Sequence, residues 1–321
     1  MKLLYLSRAD VERVGLEMAT IIDLLETMFR EKGEGRVEMP PKPGIHPRGD
    51  AFIHAMPAYI PAMKAAGLKW VSGFPENMAR GLPYISGLVV MNDVDTGLPY
   101  AVMDCTWITA YRTGAATALS ARYLARRESE SVGVLGCGVQ GRTNLIALAT
   151  LFPVTRVFAY DTSDEARRRY AADMHATLGV EVVQVTAPRD AVVESDMVVT
   201  AGPIRKRPEP VIEPSWLRPG AFASAVDFDS YFTPAALVEC DRIVTDDHQQ
   251  FQYYRSIGYF QTAPDPHASL DEVVVGRKPG RQSARERTLA MNLGLALEDM
   301  AVGREVYRRA LELEIGTWLP L

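Results

Sequence analysis

The sequence predicts an α/β protein whose middle section alternates strands and helices, flanked by a β-rich N-terminal part and a C-terminal helix. Three observations carry this. Short apolar runs at 131–135, 155–160, 182–185 and 197–200 alternate with helical segments such as 164–178, the pattern of a parallel sheet with crossover helices. Upstream, β-like runs at 51–56, 68–73, 88–92 and 100–103 show no helical period and read as a largely antiparallel sheet. A Gly-x-Gly-x-x-Gly follows the run 131–135 at once.

The elements follow in order. Ser7 and Asp10 have the spacing of a helix start, and Ile21, Leu25, Met28 and Phe29 then recur at helical spacing. Turn residues separate the upstream β runs: Pro40-Pro41, Asn77, Gly81-Leu82-Pro83 and Asp95-Thr96-Gly97. Residues 107–126 are rich in Ala and Leu and predict a helix. Runs at 221–226 and 242–245 extend the parallel sheet, and 283–313 reads as helical. The segment 276–281 is polar and reads as a mobile loop.

Composition bounds the function. The 321 residues are 47% hydrophobic and 23% charged, an ordinary globular balance that argues against disorder. The net charge of −5 disfavours a nucleic-acid binder. Three cysteines form no disulfide framework, and no two of the five histidines are spaced for a structural zinc site, so no metal is expected. No run approaches a membrane span, and the N-terminal apolar run is too short for a signal peptide. A cytoplasmic enzyme is the expectation.

The glycine motif is Gly136-Cys137-Gly138-Val139-Gln140-Gly141. Alone it is a weak signal. Its context strengthens it: an apolar strand before, a helix after, and a second strand ending in Asp161, twenty residues beyond Gly141. Gly136 permits the tight turn, Gly138 lets pyrophosphate approach the backbone, and Gly141 lets helix and strand pack closely. The helix N-terminus then faces the phosphates. Asp161 would accept from the ribose hydroxyls and repel a 2′-phosphate, so NAD is expected over NADP. Arg167–Arg169 nearby keep NADP open. Val139 and Gln140 in the loop, and Thr200 and Val226 at strand ends, are further expected cofactor contacts. The motif in this setting predicts a Rossmann domain.

More than the fingerprint is familiar. Met39-Pro40-Pro41-Lys42, Ala55-Met56-Pro57-Ala58, Gly67-Leu68-Lys69, Pro75-Glu76-Asn77 and Asp95-Thr96-Gly97 precede the run Thr109-Ala110-Tyr111-Arg112-Thr113-Gly114-Ala115. Downstream stands Gly294-Leu295-Ala296-Leu297-Glu298-Asp299. With these, the sequence resembles the ornithine cyclodeaminase/μ-crystallin family over most of its length. The resemblance implies a homodimer with two domains per subunit: a nicotinamide-cofactor domain at 127–294, and a substrate and dimerisation domain formed by 1–126 with 295–321.

It also implies roles. Lys69 would bind the substrate carboxylate and assist proton transfer, although strand alternation alone also allows an outward-facing lysine. Arg112 would grip the same carboxylate with its planar fork. Lys42 stands where many members carry an arginine, and as a point charge it grips less specifically. Arg48 is an alternative contributor, or a solvated loop charge. Asp229 aligns with the catalytic carboxylate. Asp227, where many relatives have a small residue, is a second candidate. Thr113 would lie beside the cofactor, and Asn292 would line the nicotinamide or serve helix packing.

His54 bears on the substrate. The ornithine-cyclising branch is expected to carry an acid there for the distal amine, and a histidine offers no fixed negative charge. Glu76 is the remaining acid that could replace it. The expected activity is therefore an NAD(P)-dependent oxidoreductase moving hydride between nicotinamide and the α-carbon of a small amino or imino acid. The alternatives are an ornithine cyclodeaminase and a non-catalytic NAD(P)H-binding protein.

Overall fold

The computed structural model describes the whole chain apart from Asp50 and the Met78 side chain. The chain divides into two compact units, Met1–Arg112 with Leu295–Leu321, and Thr113–Gly294. The division falls inside the helix Thr106–Leu124, whereas the sequence places it after 126, at the helix end.

The first unit is built on a seven-stranded sheet. Its order is Thr317–Pro320, Lys2–Leu6, Pro99–Asp104, Ile85–Asn92, Ala65–Gly73, Ala51–Ile60 and Gly44–Arg48. The pairing is antiparallel except that Lys2–Leu6 runs parallel to Pro99–Asp104. Ser7 caps the helix Arg8–Val14 through a reciprocal box, accepting from the Asp10 amide at 3.3 Å while Asp10 accepts from the Ser7 amide at 3.0 Å. The helix Met18–Gly33 buries Ile21, Leu25, Met28 and Phe29, the residues that show helical spacing. The helix Ala296–Glu312 lies across the strands Ala51–Ile60 and Ala65–Gly73 and packs on Met18–Gly33. It therefore presses its first turn on the inner face of the sheet centre.

The second unit holds an eight-stranded sheet whose neighbours all run parallel. Its order is Ala268–Ser269, Arg242–Thr245, Thr288–Met291, Phe222–Ala225, Met197–Thr200, Ser131–Leu135, Arg156–Tyr160 and Glu181–Gln184. Leu135, Thr200 and Ala225 are level in register at the carboxyl ends of three adjacent strands. Ligands of open parallel sheets bind at this edge.

Several elements depart from the sequence expectation. The strands Lys2–Leu6, Gly44–Arg48 and Thr317–Pro320 have no strong apolar alternation and gain their strand state from pairing. The stretch expected to be helical from 283 begins instead with the strand Thr288–Met291. All four of its residues are buried, and it fills the sheet between Phe222–Ala225 and Arg242–Thr245, so tertiary burial overrides local propensity. The loop 276–281 is tied down at its end. Arg281 donates to the Leu124 carbonyl at 2.6 Å, the Ala221 carbonyl at 3.1 Å and Thr288 Oγ1 at 2.9 Å. Among the described residues no helix is long and apolar enough to cross a membrane.

Candidate active site

In the first unit, Lys69 points to the inner face of the sheet. It is 1% exposed, while its neighbour Trp70 is 45% exposed. The ambiguity that strand alternation leaves is thus resolved in favour of the interior. The Lys69 ammonium lies 2.7 Å from Asp299 Oδ2 and donates to Thr109 Oγ1 at 3.4 Å. Arg112, one helical turn beyond Thr109, is buried beside it. Its Nη1 donates to Glu298 Oε2 at 2.7 Å and its Nε lies 3.2 Å from Asp299 Oδ1. Both carboxylates are fully buried.

Four buried charges in one cluster are costly to desolvate, and close pairing is what makes them tolerable. Burial draws the Lys69 ammonium below its usual range, against the opposing attraction of Asp299. Burial raises the Glu298 carboxyl, against the opposing charge of Arg112. Lys42 is also buried, and its charge is felt at His54. His54 is half-buried, stacks on Phe52 at 4.3 Å, and meets His46 edge-on at 5.9 Å. Burial, followed by Lys42, His46 and Lys69, pushes its imidazole down to about 4, so it is neutral at pH 7. Arg48 and Glu76 are exposed and pair with each other at 2.6 Å. Both are spent in a surface ion pair.

Glu298 and Asp299 are the residues that sequence reasoning leaves without a role. The signal is present: two adjacent acids stand in an otherwise apolar run, Leu293–Val302, at the first turn of a buried helix. Acids at a helix start read as macrodipole partners, and that reading hides their ion pairs.

In the second unit, the glycine loop leaves the carboxyl end of Ser131–Leu135 with Gly136 at φ +111°. A Cβ on Gly136 would lie 2.6 Å from the Ala201 carbonyl, and one on Gly141 would lie 2.1 Å from the Gly136 carbonyl. A Cβ on Gly138 meets nothing within 4 Å. Two glycines therefore serve close packing, and the third borders open space at the start of the helix Val139–Leu151, which no side chain caps. Val139 is 64% exposed there. Asp161 Oδ2 accepts from the Cys137 amide at 2.8 Å and Oδ1 from the Ser163 amide at 2.9 Å, which fixes the carboxylate beside the loop. The loop thus fits a dinucleotide pyrophosphate, and Asp161 fits the ribose. Arg167 is bound to the Asp161 carbonyl and to Asp164, and Arg169 pairs with Glu165 at 3.6 Å.

Thr200 is fully buried and gives its hydroxyl proton to Asp227 Oδ1 at 2.6 Å. Asp227 Oδ2 accepts from the Gly202 amide at 2.9 Å. Burial pushes the Asp227 carboxyl up to about 7 in spite of these donors. Asp229 is buried too, and its Oδ1 has no hydrogen-bond partner among the described residues. Burial raises its carboxyl, opposed by its own backbone N–H, then by the Phe260 backbone N–H and by Arg255. Val226 is half-buried, and its amide donates to the Thr200 carbonyl at 3.0 Å. Asn292 is buried and donates to Ser120 Oγ at 3.1 Å. Thr113 and Gln140 are half-buried. Among the described residues no group of three or more His, Cys, Asp or Glu is placed to hold a metal.

The chain is similar to known proteins over nearly its whole length. The chain is 35% identical to an alanine dehydrogenase of Archaeoglobus fulgidus over 99% of this chain and 98% of that one. It resembles the structure of Thermococcus litoralis Δ1-pyrroline-2-carboxylate reductase in complex with NADH and L-proline. That match has a TM-score of 0.89 and 32% identity, covering 98% of this chain and 99% of that one. An archaeal alanine dehydrogenase dimer with bound NAD matches at TM-score 0.89 and 32% identity, with full coverage of both chains. The sequence model of the ornithine cyclodeaminase/mu-crystallin family matches residues 2–314, and the chain belongs to that family.

Proposed function

We propose that the chain is an NAD-dependent oxidoreductase that interconverts a small α-amino acid and its imine. The observation that carries this reading is the buried pair Lys69 and Arg112, held side by side by Asp299 and Glu298. A carboxylate suits such a pair, which offers a planar fork and a point charge together. Lys42 adds a third cation for the same group. Anchoring the carboxylate orients the α-carbon. When bound, the nicotinamide cofactor takes up or supplies the hydride.

Asp229 is the proposed proton-transfer acid, because its buried Oδ1 is not committed to a partner among the described residues. Oxidation of the amine removes a hydride and a proton and leaves the imine. Addition of one water then releases ammonia and the 2-oxo acid, and Asp229 moves the proton between water and nitrogen. Asp161 favours NAD over NADP. A neutral His54 beside Lys42 gives a cationic distal amine no negative charge to pair with, which disfavours diamino acids.

The chain is proposed to work as a homodimer in the cytoplasm. Trp70 (45% exposed) and Leu88 (42% exposed) face each other across adjacent strands on the outer side of the seven-stranded sheet. An exposed apolar pair of this kind suits a partner subunit. The archaeal alanine dehydrogenase neighbour is a dimer. Sedimentation velocity tests this, with Trp70→Glu expected to shift the chain to monomer.

The deciding experiment is NADH consumption by the purified chain. The panel holds pyruvate and other small 2-oxo acids with ammonium or methylamine, and Δ1-pyrroline-2-carboxylate. Consumption on one class establishes the reaction and names the substrate type. Silence where a control enzyme works would refute the oxidoreductase. Proline formed from ornithine without net NADH would then reassign the chain as a lyase, and tight NADH binding without turnover as a binding protein.

A further inference from the structure

The strand Met197–Thr200 ends in a turn that backs the glycine loop. The Ala201 amide donates to the Leu135 carbonyl at 2.8 Å, and the Ala201 carbonyl is the atom that a Cβ on Gly136 would strike. The turn therefore packs directly against the back of the loop. The turn is pinned from one side by the segment 227–231. Asp227 takes the Thr200 hydroxyl on one oxygen and the Gly202 amide on the other. The Tyr231 ring packs on Gly202 so closely that a Cβ there would lie 2.2 Å from its hydroxyl. Further along, the Arg205 amide donates to Ser230 Oγ at 3.1 Å. A side chain at 202 would displace the ring, and a glycine turn without Asp227 would have backbone freedom to lose on binding.

We infer that Asp227 is a positioning residue for the cofactor cradle: its two carboxylate oxygens latch Thr200 and Gly202 and so hold the turn behind Gly136 in the conformation that receives the dinucleotide. This separates the two acids by role. Asp229 moves protons, and Asp227 sets cofactor affinity without touching the substrate. The inference rests on the reading of the glycine loop as a dinucleotide site.

The test is NADH binding by fluorescence titration, alongside steady-state kinetics. Asp227→Ala loses both acceptors and is expected to weaken NADH about tenfold. Asp227→Asn keeps an acceptor for only one of the two donors and is expected to weaken it about threefold, on the same scale. In both, the loss appears in Kd and KM for NADH more than in kcat. Ser230→Ala removes the Oγ contacts to the Arg205 amide and to the Asp227 backbone carbonyl but keeps both carboxylate contacts of the latch, so NADH affinity stays within about twofold of wild type. An effect of Ser230→Ala equal to that of Asp227→Ala would mean a general structural role and overturn the latch. Wild-type NADH affinity in Asp227→Asn, with turnover lost, would make Asp227 the proton-transfer acid and also overturn it. A wild-type chain that binds no NADH removes the cofactor reading and the latch together. Binding by wild type and variants alike removes the latch alone.

Discussion

The ion pair of Lys69 and Asp299 can be tested by removing it one half at a time. Asp299→Leu leaves a buried ammonium beside Arg112, and Lys69→Met leaves a carboxylate against Arg112 alone. Breaking a buried pair from one side costs about 3 kcal/mol or more. The first unit comprises about 140 residues, so its unfolding entropy is about 0.3 kcal/mol/K. Each single variant should therefore lower the melting temperature of that unit by about 10 °C. The double variant replaces the pair by apolar groups of similar size, which is often close to neutral. It still deprives Arg112 Nε of its 3.2 Å partner while keeping Glu298 at 2.7 Å, so a residual cost of about 2 kcal/mol is expected. The assay is calorimetry of the four proteins, with turnover measured in parallel. A double variant that loses the sum of the singles, about 6 kcal/mol, would show that the two charges do not hold each other. Turnover restored with stability would refute the placing of Lys69 on the substrate.

Three further outcomes are expected. Gly141→Ala drives a Cβ into the Gly136 carbonyl and should destabilise the ligand-free chain, while Gly138→Ala opens onto free space. Gly138→Ala should therefore leave thermal stability near wild type and weaken NADH binding; equal stability losses would contradict the cradle. Asp161→Ala should weaken NADH selectively and improve the relative use of NADPH, read as the ratio of the two kcat/KM values; an unchanged ratio would count against the ribose contact. His54 titrates near 4 when folded and near 6.5 when unfolded, so the unfolded chain binds the extra proton between those values. Stability should rise with pH across that window, by about 1–2 kcal/mol once partial exposure is allowed for. His54→Phe should flatten the rise in urea titrations at pH 4.5 and 6.5; an unchanged slope would place the acid sensitivity elsewhere.

Much of the cofactor loop is legible in the sequence. The glycine spacing, the strand before it and Asp161 after it point to the loop that the structure forms, because a tight turn, a close backbone approach and a ribose acceptor each demand a residue type at a set distance. Alternation around Lys69 left its direction open, since one strand cannot say which face is inside. The helix Ala296–Glu312 decides that, and it arrives from the far end of the chain. The same distance hides Glu298 from Arg112, 186 residues apart in sequence and 2.7 Å apart in space. Thr288–Met291 departs from the helical expectation for a related reason: its strand state comes from two neighbours rather than from its own composition.

The separation of the two acids in the second unit has a backbone cause. Phe228 stands between Asp227 and Asp229 at φ +65°, left-handed for a residue with a bulky side chain. Such a conformation costs about 1–3 kcal/mol and persists only where the surroundings enforce it. The enforcement is aromatic. The Phe228 ring lies 5.0 Å from Tyr254, 5.5 Å from Tyr259 and 4.9 Å from Phe260, and each such pair contributes about 0.5–1.5 kcal/mol. Three pairs offset the strain. In a regular strand, residues two apart face the same way, and both carboxylates would share one environment. The left-handed residue breaks that rule. One acid turns to Thr200 and Gly202, and the other lies near the Phe260 backbone with an oxygen uncommitted. A single strained torsion, held by a ring cluster, thus allows one short segment to supply a fixed support and a working acid.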